Sequence, residues 1–226
     1  MRIILASNNK NKLREFREIL GDDGFEIISQ SEARLDLDVE ETGTTFAENA
    51  FLKADAACRA SGEIAISDDS GLEVDALGGE PGVYSARYGG GSLTDHEKCL
   101  LVLDKLKNCK DRSARFVSAI SCVFPNGDVV RAEGECRGVI ADAPRGDNGF
   151  GYDPIFYVEE YGRTMGELTA DEKNSISHRG KALLNFEEEL KKFQPSLEVE
   201  EIEDAVYQED LTDMTDILRE MIEQTK

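Results

Sequence analysis

The sequence predicts a mixed α/β fold in which helices flank a long central sheet. Segments with apolar residues at helical spacing alternate along the chain with short runs rich in β-branched and aromatic residues. A long hairpin, with the turn-forming pair Asn126-Gly127 at its tip, occupies the middle of the chain. The 226 residues are 40% hydrophobic, which is typical of a globular domain and argues against disorder throughout.

The first third of the chain predicts strand, helix, helix and strand in that order. Residues 2–6 form a short apolar run that predicts the first strand, and apolar residues at helical spacing over 12–20 predict a helix. Thr45 and Glu48 have the spacing of a capping box, so a second helix is expected to start there. The apolar run 64–66 predicts a short strand that ends just before two aspartates.

The second half of the chain predicts one helix, the hairpin and a final helix. Thr94 and Glu97 repeat the capping-box spacing and predict a third helix. Its expected buried residues are Leu100, Leu101, Val102 and Leu106. Residues 115–124 and 129–140 predict the two strands of the hairpin, and apolar residues at helical spacing over 179–193 predict the last core helix.

The composition changes at Pro195. Residues 195–226 carry a net charge of −9, so we predict one domain over residues 1–194 and an acidic extension over 195–226. Apolar residues recur there at three- and four-residue spacing and predict an amphipathic helix capped by Asp210, which would dock on the core or across a dimer. These apolar residues are Leu211, Met214, Ile217, Leu218, Met221 and Ile222. A disordered acidic tail is the alternative.

The charge and composition exclude several classes of protein. The 47 acidic and 26 basic residues give a net charge of −21, which disfavours binding to nucleic acids and to anionic membrane surfaces. No apolar run approaches the ~18 residues of a membrane helix, and the start of the chain lacks the apolar core of a signal peptide. Five cysteines without CxxC pairing favour reduced thiols, and therefore a cytoplasmic location.

The loop after the first strand is a candidate phosphate site. A strand that ends in a polar loop before a helix brings backbone N–H groups and the positive helix end to one point. The loop consists of Ser7, Asn8, Asn9, Lys10, Asn11 and Lys12, and its lysines add positive charge. It lacks the Walker A spacing. An ordinary strand-to-helix turn with a good cap would have the same composition.

Two adjacent acids form a candidate magnesium site. Asp68 and Asp69 leave the predicted strand and are followed by Ser70, which together would make a compact set of oxygen ligands. Mg²⁺ is commonly held by one or two carboxylates together with substrate phosphates and water. Glu40 and Glu41 offer further carboxylate oxygens before the second helix. A pair of solvated acids in a turn is the alternative.

Residues 148–154 form a candidate site for a flat ligand. Glycines on both sides of Phe150 would let the backbone approach such a ligand, on which the ring could stack. A tight turn with a buried phenylalanine is the alternative.

Residues 173–179 form a cluster of hydrogen-bond donors at the start of the last helix. Lys173, His178 and Arg179 could together bind a keto oxygen and phosphate. The alternative is a helix capped by Ser177 beside a solvated arginine.

Six segments of the sequence, taken in order, carry a resemblance to a known family. They are SNNKNK, EETGTTFAENAFLKA, ISDDSG, LGGEPGVYSARYGG, FGYDP and EKNSISHRGKAL. Over residues 1–193 the chain resembles the inosine/xanthosine triphosphate pyrophosphatases. The resemblance implies a homodimer with two lobes around a nucleotide cleft, and removal of deaminated purines from the nucleotide pool. The implied reaction is Mg²⁺-dependent hydrolysis of ITP, dITP or XTP to the monophosphate and pyrophosphate.

The resemblance also implies roles for individual residues. Asp69 corresponds to the catalytic, metal-binding acid, Glu41 to the second metal-binding carboxylate, and Phe150 to the aromatic ring beneath the base. Other implied substrate contacts are Ser7, Asn9, Lys12 and Lys53 to the polyphosphate, Ser70, and the wall formed by Gly151, Tyr152 and Asp153. The implied readers of the purine 6-keto group are Lys173, His178 and Arg179. Adenine carries a donor at C6, so a pocket lined with donors would disfavour ATP.

A nucleoside triphosphate is strongly anionic and would be repelled by a chain of net charge −21. The cleft is expected to be locally positive, with the charge supplied by Lys10, Lys12, Lys53, Lys173 and Arg179.

Three other readings compete with this one. A Maf-like nucleotide pyrophosphatase would share the fold and the reaction but prefer other bases, and its opening loop is rich in serine and arginine. A nucleotide-sensing module would bind without hydrolysis, which the intact Asp69 and Glu41 argue against. A structural interaction protein would work through its acidic extension.

Overall fold

The structure is a computed structural model and describes residues 2–21 and 24–193. The acidic extension, with its predicted amphipathic helix and the proposed boundary at Pro195, lies outside the described residues. The strands are β1 (Arg2–Leu5), β2 (Glu26–Ser29), β3 (Ala65–Val74), β4 (Ser113–Val123), β5 (Val129–Ile140), β6 (Phe156–Val158) and β7 (Arg163–Thr164). The α-helices are α1 (Lys10–Leu20), α2 (Phe46–Ser61), α3 (Asp95–Lys105), α4 (Ala170–Ile176) and α5 (His178–Lys192).

Over these residues the seven strands form one mixed sheet in the order β2-β1-β3-β4-β5-β6-β7. β1 runs parallel to β2 and β3, and all pairs from β3 to β7 are antiparallel. The predicted mixed sheet with flanking helices is therefore confirmed. No helix in the described part of the chain is long and apolar enough to cross a membrane.

The strand predicted over residues 64–66 is longer than expected. β3 pairs with β4 along its whole length, from Ala65 opposite Val123 to Val74 opposite Ala114. The prediction that the aspartates follow the strand is wrong, because this continuous antiparallel ladder holds the polar segment 67–70 in extended backbone.

The hydrophobic core is divided along the long strands. At one end, Leu72 and Phe116 pack in a cluster that includes Val102 of α3. At the other end, Ile66 and Ile120 pack with residues of α1 and α5, and a further cluster lies under α2. The polar segment of β3 lies between these clusters, so the strands that join the two cores also carry the polar groups of the site.

Both predicted capping boxes are present. The side chains of Thr45 and Thr94 accept hydrogen bonds from the backbone N–H of the glutamate three positions later. The side chain of that glutamate in turn accepts a hydrogen bond from the backbone N–H of the threonine. In α3, however, Leu100 is 46% exposed, so the prediction that it is buried is wrong. The buried stripe follows Cys99 and Val102 toward Leu106, and Leu100 lies about 100° around the helix from Cys99.

The predicted hairpin joins β4 and β5, with Val123 opposite Val129. The turn is longer than the two residues that Asn126-Gly127 suggests. The Phe124 N–H donates to the Asp128 carbonyl (3.0 Å), which closes a loop of three residues. Gly127 has a φ of 91°, the left-handed conformation that such a loop requires.

Candidate active site

The site begins where β1 ends. β1 pairs with β3 at Ala65 and Ile66, whereas β3 continues to Val74, so the middle of β3 has no strand neighbour on that side among the described residues. A cavity of about 950 Å³ opens there. The predicted site residues that line it are Ser7, Asn8, Asn9, Lys12, Glu41, Lys53, Asp69, Ser70, Phe150, Gly151, Tyr152, Asp153, Lys173, His178 and Arg179. Lys10 and Asn11 are not brought into this lining, and Lys10 borders a separate depression beside α1.

The loop after β1 is organised by its own side chains. The Asn9 side chain accepts hydrogen bonds from the Asn11 and Lys12 N–H groups (2.9 and 3.2 Å), so it caps α1. Ser7 Oγ accepts the Asn9 N–H (3.1 Å). These bonds leave the Ser7 hydroxyl proton and the Asn9 amide group as donors toward the cavity, and they start α1 two residues earlier than predicted.

The two adjacent aspartates lie on opposite faces of the sheet because side chains alternate along a strand. The Asp68 carboxylate meets helices α1 and α5, where Arg179 donates to it from Nε (3.0 Å) and Nη2 (2.9 Å), and Lys12 lies 3.0 Å away. Burial alone would raise the pKa of Asp68, but Arg179 and Lys12 outweigh burial and hold it well below its usual range. The prediction that Asp68 and Asp69 form one compact set of ligands is therefore wrong.

Asp69 meets α2 on the other face. Lys53 Nζ donates to Asp69 Oδ1 (3.0 Å) and to Glu41 Oε1 (2.9 Å), and Asn49 donates to Asp69 Oδ2 (3.3 Å). Burial raises the pKa of Asp69 above its ordinary value of 3.8, although the Lys53 ammonium opposes the shift. Burial would also raise the pKa of Glu41, but hydrogen bonds from Lys53 and Arg87 hold it below its ordinary value. The pKa values of the two carboxylates are therefore shifted in opposite directions, upward for Asp69 and downward for Glu41.

Asp69 and Glu41 fit a divalent cation. Each places a carboxylate oxygen within 3.0 Å of the same Lys53 nitrogen, so one positive centre can contact both. Among the described residues no group of three or more His, Cys, Asp or Glu side chains could hold a metal. Two carboxylates are nevertheless sufficient for Mg²⁺ when substrate phosphates and water complete its shell.

At the opposite end of the cavity, Lys173 and Arg179 belong to a buried ion network. Lys173 Nζ donates to Glu15 Oε1 (2.9 Å) and to Asp153 Oδ2 (2.8 Å), while Arg179 binds the second Glu15 oxygen. Ser177 caps α5 as the alternative reading expected, but Arg179 is only 1% exposed rather than solvated. Arg179 also donates to Ser70 (2.8 Å), so most of its N–H groups already have protein acceptors.

The charges of this network are fixed by their partners. Burial would raise the pKa of Glu15, but Arg179 and Lys173 lower it below its ordinary value. Burial would likewise lower the pKa of Lys173, but Asp153 and Glu15 raise it. The network therefore keeps two cations next to the Phe150 ring, with Lys173 Nζ 4.7 Å and Arg179 Cζ 5.6 Å from its centroid.

His178 is held as a neutral ring. It stacks on Phe116 with centroids 4.7 Å apart, and its Nδ1 has no hydrogen-bond partner among the described residues. Burial, with help from the charges of Arg179 and Lys173, lowers the pKa of His178 well below 6.5. The imidazole of His178, which lines the cavity, is therefore uncharged at neutral pH.

The cavity differs from the expected positive cleft. Over the residues that the structure describes, the lining contains equal numbers of acidic and basic side chains, so the prediction of a locally positive lining is wrong. Each cation in the lining is paired with a carboxylate, as Arg87 is with Glu41 (2.7 Å) and Lys98 with Asp95 (3.0 Å). The lining is nonetheless far less negative than the chain as a whole, and a bound divalent cation would make it positive.

Several residues of the site were missed by sequence reasoning. Glu15 is buried and joins the ion network from α1, but it contacts residues more than 150 positions away, for which no local pattern exists. Arg87 lies inside the motif GVYSARYGG, so its presence in that motif was the available signal. Asn49 lies inside the motif EETGTTFAENAFLKA and had the same signal, whereas Asp95 and Lys98 lie in none of the six motifs.

Comparison with known proteins identifies relatives over nearly the whole described chain. The sequence pattern of the Ham1 family matches residues 3–189. A dITP/XTP pyrophosphatase of Clostridium perfringens is 48% identical over 198 residues, which cover 84% of this chain and 97% of that protein. A dITP/XTP pyrophosphatase of Thermus thermophilus is 47% identical over 205 residues, covering 90% and 98%.

Solved structures give the same result. The Ham1 protein of Staphylococcus aureus superposes with a TM-score of 0.77 at 46% identity, over 85% of this chain and 99% of that chain. A HAM1 protein from Coxiella burnetii superposes with a TM-score of 0.79 at 45% identity, over 85% and 100%.

Proposed function

This chain belongs to the Ham1 family, and from that premise we propose that it hydrolyses dITP, XTP and ITP to the nucleoside monophosphate and pyrophosphate. One observation carries the proposal. Residues that lie far apart in the sequence, from the loop after β1 to the start of α5, line one cavity with a carboxylate pair and an aromatic ring. Hydrolysis of these nucleotides would remove deaminated purines before they enter nucleic acid.

Asp69 and Glu41 are the residues that would hold Mg²⁺, which when bound supplies positive charge to the phosphates. The other steps belong to the side chains of the protein. Asp69, whose pKa is raised by burial, orients the attacking water and accepts its proton. The oxygen of the water adds to the α-phosphorus. The α–β anhydride bond then breaks, and the electrons of that bond leave with the pyrophosphate.

The polyphosphate is bound by donors on both sides of the free edge of β3. Lys12 and Lys53 hold positive charge beside that edge, and Ser7 offers its hydroxyl proton from the loop after β1. Lys53 bridges the two carboxylates that would hold the cation, so its ammonium group lies close to where the phosphates would bind.

The base is bound at the other end of the cavity. Phe150 provides a ring for stacking, and the donors nearby are those of Lys173, His178 and Arg179. Since Lys173 and Arg179 give most of their N–H groups to protein carboxylates, few donors remain. A purine 6-keto oxygen can accept these remaining bonds, whereas an adenine amino group would meet donors and lose its own bonds.

We also propose that the active protein is a homodimer and is located in the cytoplasm. The cytoplasmic location is supported by five unpaired cysteines, four of them buried. The dimer is an expectation from the family resemblance, and the molar mass in solution, measured by light scattering, tests it.

Incubation with Mg²⁺ and each of ITP, dITP, XTP and ATP tests the proposed function. We expect pyrophosphate as the first product from the first three nucleotides and little product from ATP. Orthophosphate as the first product, or equal rates with ATP, would contradict the proposal. A Maf-like activity would instead prefer other bases, and a sensing module would bind nucleotide without product.

A further inference from the structure

The aromatic segment of the cavity has little stiffness of its own. Phe150 lies between Gly149 and Gly151, whose φ angles of 78° and 62° fall in the left-handed region. Glycine loses more conformational freedom on folding than any other residue. The position of the Phe150 ring therefore depends on contacts made to this segment from elsewhere in the protein.

Two carboxylates hold successive peptide groups of the segment. The Phe150 N–H donates to Asp153 Oδ2 (2.8 Å), and the Gly151 N–H donates to Asp95 Oδ2 (2.9 Å). Asp153 belongs to the segment itself and also binds Lys173. Asp95 comes from the first turn of α3, a helix whose remaining buried face packs in the hydrophobic core.

Asp95 is itself held in place. It follows Thr94, the capping residue of α3, and its second oxygen accepts a hydrogen bond from Lys98 (3.0 Å). Burial would raise the pKa of Asp95, but the bonds from Lys98 and the Gly151 N–H hold it below its ordinary value. The acceptor is therefore charged at neutral pH, which strengthens its bond to Gly151.

A second residue of α3, one turn after Asp95, contacts the carbonyl group of the same glycine. Cys99 Sγ donates to the Gly151 carbonyl oxygen (3.4 Å) and is buried beneath the segment. The first two turns of α3 thus bind both the N–H and the C=O of Gly151, next to the ring that faces the cavity.

We propose that Asp95 is a positioning residue that anchors Gly151, and through it holds the Phe150 ring ready to stack on the base of the substrate. The inference rests on the proposed function for its link to nucleotide binding. The anchoring itself is a property of the free protein.

Steady-state kinetics with ITP tests the link. Asp95→Ala removes the acceptor and should raise KM about tenfold or more, in line with the loss of a hydrogen bond to a charged group, while kcat changes less than KM. Asp95→Asn keeps an acceptor oxygen and should restore most of the loss. Asp104→Ala removes an exposed aspartate of the same helix, paired with Lys107, and should leave KM unchanged.

Hydrogen–deuterium exchange without nucleotide tests the anchor independently of activity. A peptide covering residues 148–153 should exchange faster in Asp95→Ala than in the wild type or Asp104→Ala. Unchanged exchange overturns the proposal, as does a KM equal to that of the wild type. If wild-type protein released no pyrophosphate while exchange still rose in Asp95→Ala, the proposed function would fail and the anchor would stand. Equal losses of kcat and Tm in both Asp95 variants would assign a purely structural role and overturn it.

Discussion

At the scale of single residues, the pleat of β3 separates the tasks of two neighbouring acids. Asp68 neutralises buried cations on the face covered by α1 and α5, whereas Asp69 faces α2 and the cavity. The same residue type therefore serves charge balance at one position and the proposed chemistry at the next.

Substituting each of these acids should affect a different property of the protein, turnover for Asp69 and stability for Asp68. Asp69→Asn keeps the shape but removes the charge, so turnover of ITP should fall ~10²-fold or more with little change in Tm. Asp68→Asn should instead lower the free energy of unfolding by about 3–5 kcal/mol, because it leaves Arg179 buried with one carboxylate fewer. Kinetics and thermal melting of both variants check this. Near-normal turnover of folded Asp69→Asn would contradict the assignment.

Replacing Phe150 tests the stacking role. Phe150→Ala should weaken ITP binding by ~1–3 kcal/mol, the usual value of a base–aromatic contact, and raise KM accordingly. Phe150→Tyr keeps the ring and serves as the matched control. Affinity for Mg²⁺, measured by activation of turnover, should change little. An unchanged KM in Phe150→Ala would refute stacking.

The buried His178 predicts a pH dependence of stability. The pKa of His178 in the folded protein lies well below the ordinary 6.5. As the pH falls, the imidazole is therefore protonated in the unfolded chain before it is protonated in the folded protein. The free energy of unfolding is therefore unaffected by His178 above pH 6.5. Below that pH it decreases by up to about 1.4 kcal/mol per pH unit. Urea unfolding of wild type and His178→Gln between pH 5 and 8 checks this. Parallel pH profiles for the two proteins would contradict it.

At the scale of elements, the site depends on close contact between α5 and β5. A Cβ added at Gly134 of β5 would lie 2.3 Å from the His178 carbonyl oxygen and 2.4 Å from the Ala182 nitrogen. Both are backbone atoms, so the helix itself would have to move. Because α5 begins at His178, this contact sets the position of the residues at the base end of the cavity.

Gly134→Ala should therefore reduce both stability and activity. Forcing α5 away from the sheet should cost about 1–3 kcal/mol of unfolding free energy and lower turnover of ITP. Gly91→Ala is the matched control, because a Cβ at Gly91 meets no atom within 4 Å. Thermal melting and kinetics of both variants test this expectation. Equal behaviour of the two variants would show that the contact is not tight.

At the scale of the whole molecule, the described residues that line the cavity lie within positions 6–179. Deleting residues 196–226 should leave ITP turnover per folded site nearly unchanged. If the extension docks on the core or across a dimer, the deletion should also lower Tm or change the molar mass in solution. Calorimetry and light scattering measure both quantities. An unchanged Tm and mass would favour the disordered tail, and a large loss of turnover would contradict the placement of the site.

Local sequence patterns predicted the elements whose signals are themselves local. The capping boxes at Thr45 and Thr94 and the long strands of the hairpin carry their signals within a few residues. β6, β7 and α4 were not predicted, because they are too short for an apolar period to be distinguished from chance. β2 was also missed, although it is as long as the predicted β1. The extent of β3 was underestimated for a different reason, since its pairing with β4 overrides the polar character of its middle.

The sequence by itself determined which residue types the site contains and, through six ordered motifs, the family to which they belong. The tertiary structure alone decided which of those residues meet. In the folded protein Asp68 and Asp69 lie on opposite faces of β3, and Lys10 does not line the cavity. Glu15 of α1 contacts Lys173 and Arg179. These outcomes depend on strand pleat, helix phase and contacts between residues far apart in the chain. Such contacts form only when a burial-driven core fixes the elements relative to one another, and no local pattern records them.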